Sequence, residues 1–141
     1  MKNKHIESIE LYLLLCQVRV KYIPDLISGG VYSPSARTIL IDENLNVKQK
    51  MFTLLHEAGH FIDYSTNPKS FTNASHNIAR RKIEKSQKLS LAQKRAIIRN
   101  ETKAWKYAKG LARQLKIPLG KNFEKDRKES LKTYRQLESE D

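Results

Sequence analysis

Apolar positions at Ile6, Ile9, Leu13 and Cys16 recur at helical spacing and predict an opening helix over about residues 5–16. Val18, Val20 and Tyr22 then alternate with Arg19 and Lys21, the period-two pattern of a half-buried strand, which Pro24 ends. Gly29 and Gly30 precede Val31 and Tyr32, and Ser33-Pro34-Ser35-Ala36 supplies turn chemistry before a β-rich stretch over 37–41, so a hairpin is expected here. The next period is again helical. Met51, Phe52, Leu54, Leu55, Ala58, Phe61 and Ile62 cover most of the circumference of a helix over about 47–64, which predicts a buried central helix. Asn46 and Gln49 have the residue types and spacing of a capping box at its start.

Beyond that helix the pattern weakens. Residues 65–76 are rich in Asn, Ser, Thr and Pro and predict a loop, and residues 77–89 predict a weakly patterned basic helix. Ser90 and Gln93 form a second capping-box pair, opening a helix that can continue to Lys116 before Pro118 stops it. The tail over 122–137 mixes charges with Phe123, Leu131, Tyr134 and Leu137 and is expected to dock as a short final helix. Three short strands with helices before and after them predict an α+β fold: a three-stranded sheet packed on the central helix, with another helix from the C-terminal half beside it. At 141 residues the chain is expected to form one domain, with a core over about 18–116, a basic insert over about 66–100 and a helical tail over about 121–141.

Charge and cysteine content narrow the chemistry. The formal net charge is +12, but residues 1–65 hold seven Lys/Arg against seven Asp/Glu, and residues 116–141 hold seven against six. Residues 66–115 carry thirteen basic residues against only Glu84 and Glu101, an excess of +11. Such a block fits either nucleic acid or an acidic partner, or simply a solvated face that keeps the chain in solution. Cys16 is the only cysteine, so no intrachain disulfide or cysteine-based metal site is available. The apolar run 11–16 is too short to span a bilayer, and a cytoplasmic protein with no membrane partner is expected. Oligomeric state leaves no mark in the sequence.

Inside the apolar central helix, His56-Glu57-Ala58-Gly59-His60 spells HExxH. The i and i+4 positions share a helix face, so His56 and His60 can direct imidazole nitrogens at one metal ion, which for this motif points to zinc. Glu57 falls beside that metal, where a carboxylate suits a general base that takes a proton from water acidified by zinc. A catalytic zinc needs a third protein ligand, and four residues compete. Asp63 shares the helix but suits a supporting role better, because one straight helix rarely wraps three ligands around an ion. His76 falls in the predicted loop, and Glu84 lies among lysines that would pair with it on a surface. Glu101 is framed differently: Ile97, Ala104, Trp105, Ala108, Leu111, Ala112 and Leu115 all fall within about 80° of it on a helical wheel. A carboxylate in the middle of an apolar face requires a metal, a cation or a proton. Glu101 is the preferred third ligand; pairing with one of the many nearby Arg or Lys residues is the competing reading. Ala104 and Ala108 are small enough to let its helix approach the HExxH helix closely.

Gly30-Val31-Tyr32, Ile39-Leu40-Ile41, HExxH and Glu101-x-x-Ala104-Trp105 together resemble the gluzincin class of metallopeptidases, and within it the small ImmA/IrrE-type family. The resemblance covers about residues 18–116. It implies a zincin-like domain in which His56, His60 and Glu101 bind zinc and Glu57 is the catalytic acid/base. It also implies hydrolysis of peptide bonds in a cytoplasmic protein substrate, and a phage or mobile-element origin. If the last strand forms a sheet edge over the metal, its free backbone groups can pair with an extended peptide. His76, Tyr32, Tyr64 and Tyr107 are the candidates to stabilise an oxyanion. The reading from a different class is a basic nucleic-acid-binding or regulatory module whose metal, if any, is structural.

Overall fold

The computed structural model describes residues 3–67, 88 and 90–139, with side chains as far as Lys132. The chain runs through α1 (Lys4–Leu15), β1 (Arg19–Ile23), β2 (Gly30–Ser33), β3 (Thr38–Asp42), α2 (Val47–Thr66), α3 (Leu91–Gln114) and α4 (Lys121–Ser139). Each of the first three helices starts on a side-chain cap, which satisfies amide donors that have no partner within the helix. Asn3 accepts from the amides of His5 and Ile6, and reciprocal capping boxes form at Asn46/Gln49 and Ser90/Gln93. The expected basic helix over 77–89, most of the expected loop, and with them His76 and Glu84, lie outside the described residues.

The sheet has strand order β1-β3-β2. β2 and β3 form the expected antiparallel hairpin, and β1 joins β3 in parallel. The last strand is therefore central, so the condition that it form a sheet edge over the metal is not met, and the edge beside the HExxH helix is β2. Composition explains the exchange. Ile39, Leu40 and Ile41 make β3 the most apolar strand, and a central position covers both of its hydrogen-bonding rows. In this register Val20, Ile39 and Tyr32 form one cross-strand row and Tyr22, Ile41 and Gly30 the next. Ile39, Ile41 and Tyr32 are buried, as are Ile9 and Leu13 of α1.

α2 is the axis of the molecule, in contact with α1, β2, β3 and α3. Its approach to α3 is set by backbone. A Cβ placed on Gly59 would overlap the carbonyl oxygen of Ala104 and come within 3.1 Å of the Ala108 amide nitrogen. Ala104 and Ala108 are fully buried, as the helical wheel anticipated, and Gly59 is their counterpart on α2. α4 docks through Phe123 and Leu131, both buried, and runs longer than the short tail helix expected from the sequence. The Phe123 ring meets Phe52 of α2 and Trp105 of α3 edge to face at centroid distances of 5.4 and 5.3 Å. Burial of such a side chain contributes about 1.5–3 kcal/mol, enough to hold α4 against the two central helices.

Two glycine substitutions test this packing with opposite signs. Gly59→Ala should lower unfolding stability by about 1–3 kcal/mol, the usual cost of overpacking, because neither backbone can yield. Gly110 lies on the exposed side of α3 with nothing within 4 Å of an added Cβ, so Gly110→Ala should raise stability by about 0.5–1 kcal/mol. Chemical denaturation measures both. An unchanged midpoint for Gly59→Ala would contradict the helix contact.

Candidate metal centre

Helical periodicity puts His56 and His60 on one face of α2, with ring centroids 4.7 Å apart. The α2–α3 contact then brings Glu101, one turn before Ala104, onto that face. Glu101 Oε2 lies 2.8 Å from His56 Nε2, and Glu101 Oε1 lies 3.2 Å from His60 Nε2. One carboxylate thus spans both imidazoles. No Lys or Arg pairs with Glu101 among the described residues, so the competing reading from the sequence is not realised there. Burial pushes the Glu101 carboxyl up, but the charges of His60 and His56 and their hydrogen bonds outweigh it and hold the group well below the usual carboxylate range.

Glu57 occupies a different environment only one residue from His56. It is buried, its Oε2 accepts no hydrogen bond, and its nearest imidazole contact is 3.9 Å, to His56 Nδ1. Both histidines turn Nε2 toward Glu101, so Glu57 approaches the pair from the side. Gly30 of β2 makes room for it: a Cβ there would come within 2.5 Å of Thr53 Cγ2 and 3.1 Å of Glu57 Cγ. Trp105 stacks on His56 with centroids 4.5 Å apart and planes 25° from parallel, which fixes the imidazole plane.

The donors suit a divalent metal. His56, Glu57 and His60 place ligand atoms within 4.8 Å of one another, and Glu101 is closer still to both imidazoles. Donors about 2.0–2.1 Å from a tetrahedral ion lie roughly 3.3 Å apart. The Glu101 separations of 2.8 and 3.2 Å therefore match that spacing to within a small adjustment.

His56, Glu57 and Glu101 line a cleft of about 420 Å³, with His60 buried behind them. Its walls include Ile27, Ser28, Gly29 and Gly30 from the β1–β2 loop and edge strand, and Asp126 and Ser130 from α4. Among the described residues no Lys or Arg lines it.

Several residues considered from sequence stand elsewhere. Asp63 is fully buried beyond His60 and outside the cleft lining; its Oδ1 accepts from Asn67 Nδ2 at 3.5 Å, and burial pushes its carboxyl up. Tyr32, Tyr64 and Tyr107 do not line the cleft either. Sequence reasoning overlooked the packing roles of Gly59 and Gly30, the positioning contact of Trp105, and Asp126 and Ser130 altogether. Gly59 carried a usable signal, because glycine inside a helix costs about 1 kcal/mol relative to alanine and two alanines four residues apart wait on the facing helix. Asp126 and Ser130 carried none, since only the docked α4 brings them to the cleft.

A family model described as IrrE N-terminal-like domain, a peptidase family, matches residues 18–97. The match spans β1 to the first turns of α3; it contains His56, Glu57 and His60 and stops before Glu101. No curated protein and no solved structure matches the chain.

Trp105 is the only tryptophan and lies against His56. Titration with a divalent metal should therefore change the intrinsic fluorescence and saturate at one ion per chain. Metal uptake at His56 and His60 with an unaltered emission spectrum would contradict this geometry.

Proposed function

The chain belongs to the IrrE N-terminal-like domain family of peptidases, and from that membership we propose that it is a zinc-dependent metallopeptidase that hydrolyses peptide bonds of a cytoplasmic protein. His56, His60 and Glu101 hold the zinc and Glu57 is the general base. The observation that carries this reading is the single carboxylate of Glu101, brought from a separate helix to within 2.8 and 3.2 Å of the two HExxH imidazoles. Two imidazoles and a carboxylate are a donor set that catalytic zinc takes, with one position left for water or substrate.

When bound, zinc supplies Lewis acidity that polarises the scissile carbonyl and acidifies water. Glu57 performs the proton transfers. Its Oε2 has no competing hydrogen bond, so it can take a proton from water as the new carbon–oxygen bond forms. It then delivers that proton to the amide nitrogen as the carbon–nitrogen bond breaks. A structural metal site is closed and needs no such base; a carboxylate acceptor lining an open cleft supports the catalytic reading. The arrangement also favours an extended peptide as substrate. β2 is a sheet edge at the cleft wall, and an edge strand can add a further strand through backbone hydrogen bonds. No helix among the described residues is long and apolar enough to cross a membrane.

Two variants separate the roles. Glu57→Gln should bind zinc as the wild type does and lose peptidase turnover by about 10²–10⁴-fold, the usual contribution of a general acid/base. Unchanged turnover would remove Glu57 from the mechanism. Glu101→Ala should weaken zinc binding by more than the about 10–100-fold that loss of a supporting contact costs. Full zinc affinity in that variant, measured by competition with a chelator, would show that Glu101 is not a ligand.

A further inference from the structure

α3 has two faces of opposite chemistry. Glu101, Ala104 and Ala108 face α2, while Arg95, Arg99, Lys106 and Arg113 are exposed. At 100° per residue these four cations fall within about 40° of one another and extend along about 27 Å of the helix axis. Lys103 and Lys109 flank them, and Lys109 pairs with Glu124 of α4 at 3.0 Å. Across its 24 residues α3 carries seven Lys/Arg and one acid, Glu101, buried on the other side. No acidic residue of α3 itself interrupts the ridge.

Keeping the chain in solution does not call for this arrangement. Residues 1–65 balance seven basic against seven acidic residues, and α4 mixes signs, with Glu124 bonded to Lys109 and Arg127. Among the described elements α3 has the largest charge excess, seven Lys/Arg against Glu101, and four of those cations share one exposed side. A bilayer surface is a poor match, because a helix lying on lipid inserts an apolar face, and that of α3 is buried with Trp105 and Leu111 inside the protein. A protein partner is also a poor match, since a stable interface needs a desolvated core with aromatic or apolar anchors. Leu91, at the start of α3, is its only large exposed apolar residue. A line of permanent cations without apolar anchors fits a regular linear polyanion, which gains affinity by releasing its condensed counterions.

We propose that the exposed side of α3 is a sequence-independent nucleic-acid-binding ridge that tracks the phosphate backbone of a duplex. Apart from Gln114 at its C-terminal end, α3 exposes no Asn, Gln or aromatic side chain with which to read or stack on bases. Among the described residues the cleft lining is acidic, with Glu57, Glu101 and Asp126 and no Lys or Arg, which keeps the polyanion off the metal centre, so the ridge and the cleft can be occupied together. This inference does not depend on peptidase activity.

The test uses the full chain carrying Glu57→Gln, loaded with zinc, and a fluorescent 20-base-pair DNA duplex followed by anisotropy. Three phosphate contacts, from Arg99, Lys106 and Arg113, predict that binding weakens about 40-fold between 50 and 200 mM salt. Neutralising Arg99, Lys106 and Arg113 together (each →Gln) should remove about 2–3 from the slope of log affinity against log salt. Neutralising Lys121, Lys125 and Lys128 of α4 makes the same change in net charge and should leave most of the slope. Arg99→Lys with Arg113→Lys, which keeps the charge, should preserve binding and guards against a folding defect in the neutralised variant. Equal loss in the α3 and α4 triples would overturn the ridge, as would retention of polyglutamate but not of duplex. A parallel RNA duplex decides which backbone is preferred: tighter binding of either is consistent with the ridge, and binding of neither overturns it. Loss of zinc binding in the same preparation would count against the peptidase reading alone.

Discussion

The backbone of α2 lies against that of α3 at Gly59, where even a methyl group would overlap the Ala104 carbonyl oxygen. The metal centre depends on this contact. In the proposed site HExxH supplies two imidazoles and a base on one helix, and the third donor comes from a helix that begins 31 residues after His60 (residue 91 against residue 60). An inward-facing glutamate reaches both imidazoles only if the two helix axes are close, and side chains larger than Gly59, Ala104 and Ala108 would hold them apart. Phe123 then packs α4 across Phe52 and Trp105, and Trp105 in turn stacks on His56. The same cluster that builds the core also sets the plane of a metal-site imidazole.

Glu57 and Glu101 show how position divides the work between identical side chains. Both are buried in one site. Glu101 is surrounded by the Nε2 atoms of two histidines, whose charges and hydrogen bonds overcome the cost of its burial. Glu57 meets neither Nε2; it sits under Gly30 with an oxygen that accepts nothing. The first arrangement suits a ligand and the second a proton acceptor. Charge is partitioned on a larger scale as well: among the described residues the cleft has acidic side chains and no Lys or Arg, and Arg95, Arg99, Lys106 and Arg113 are exposed on the opposite side of α3.

Most of this arrangement was legible in local pattern. Hydrophobic period located α1, the three strands, α2 and α3, and the two capping boxes marked helix starts correctly because capping is a property of four adjacent residues. Glu101 stood out because a charge inside an apolar stripe is a conflict visible on a helical wheel. Strand order was harder. The β2–β3 hairpin is local, but the parallel pairing of β1 with β3 is settled by competition among all three strands for the central position, and β3 won it with its run of Ile39, Leu40 and Ile41. The part of α4 in the cleft was not legible either. Asp126 and Ser130 belong to a mixed-charge segment that reads as surface until Phe123 is seen anchoring it.

The central claim is that HExxH and Glu101 form one metal site across the α2–α3 contact. A crystal structure of the zinc-loaded protein tests it most directly. The account predicts one ion bonded to Nε2 of His56, Nε2 of His60 and a carboxylate oxygen of Glu101, each at about 2.0–2.2 Å, with Glu57 beside the ion but not bonded to it. Zinc bound to the two histidines with Glu101 turned away, or with Glu57 in its place, would contradict it.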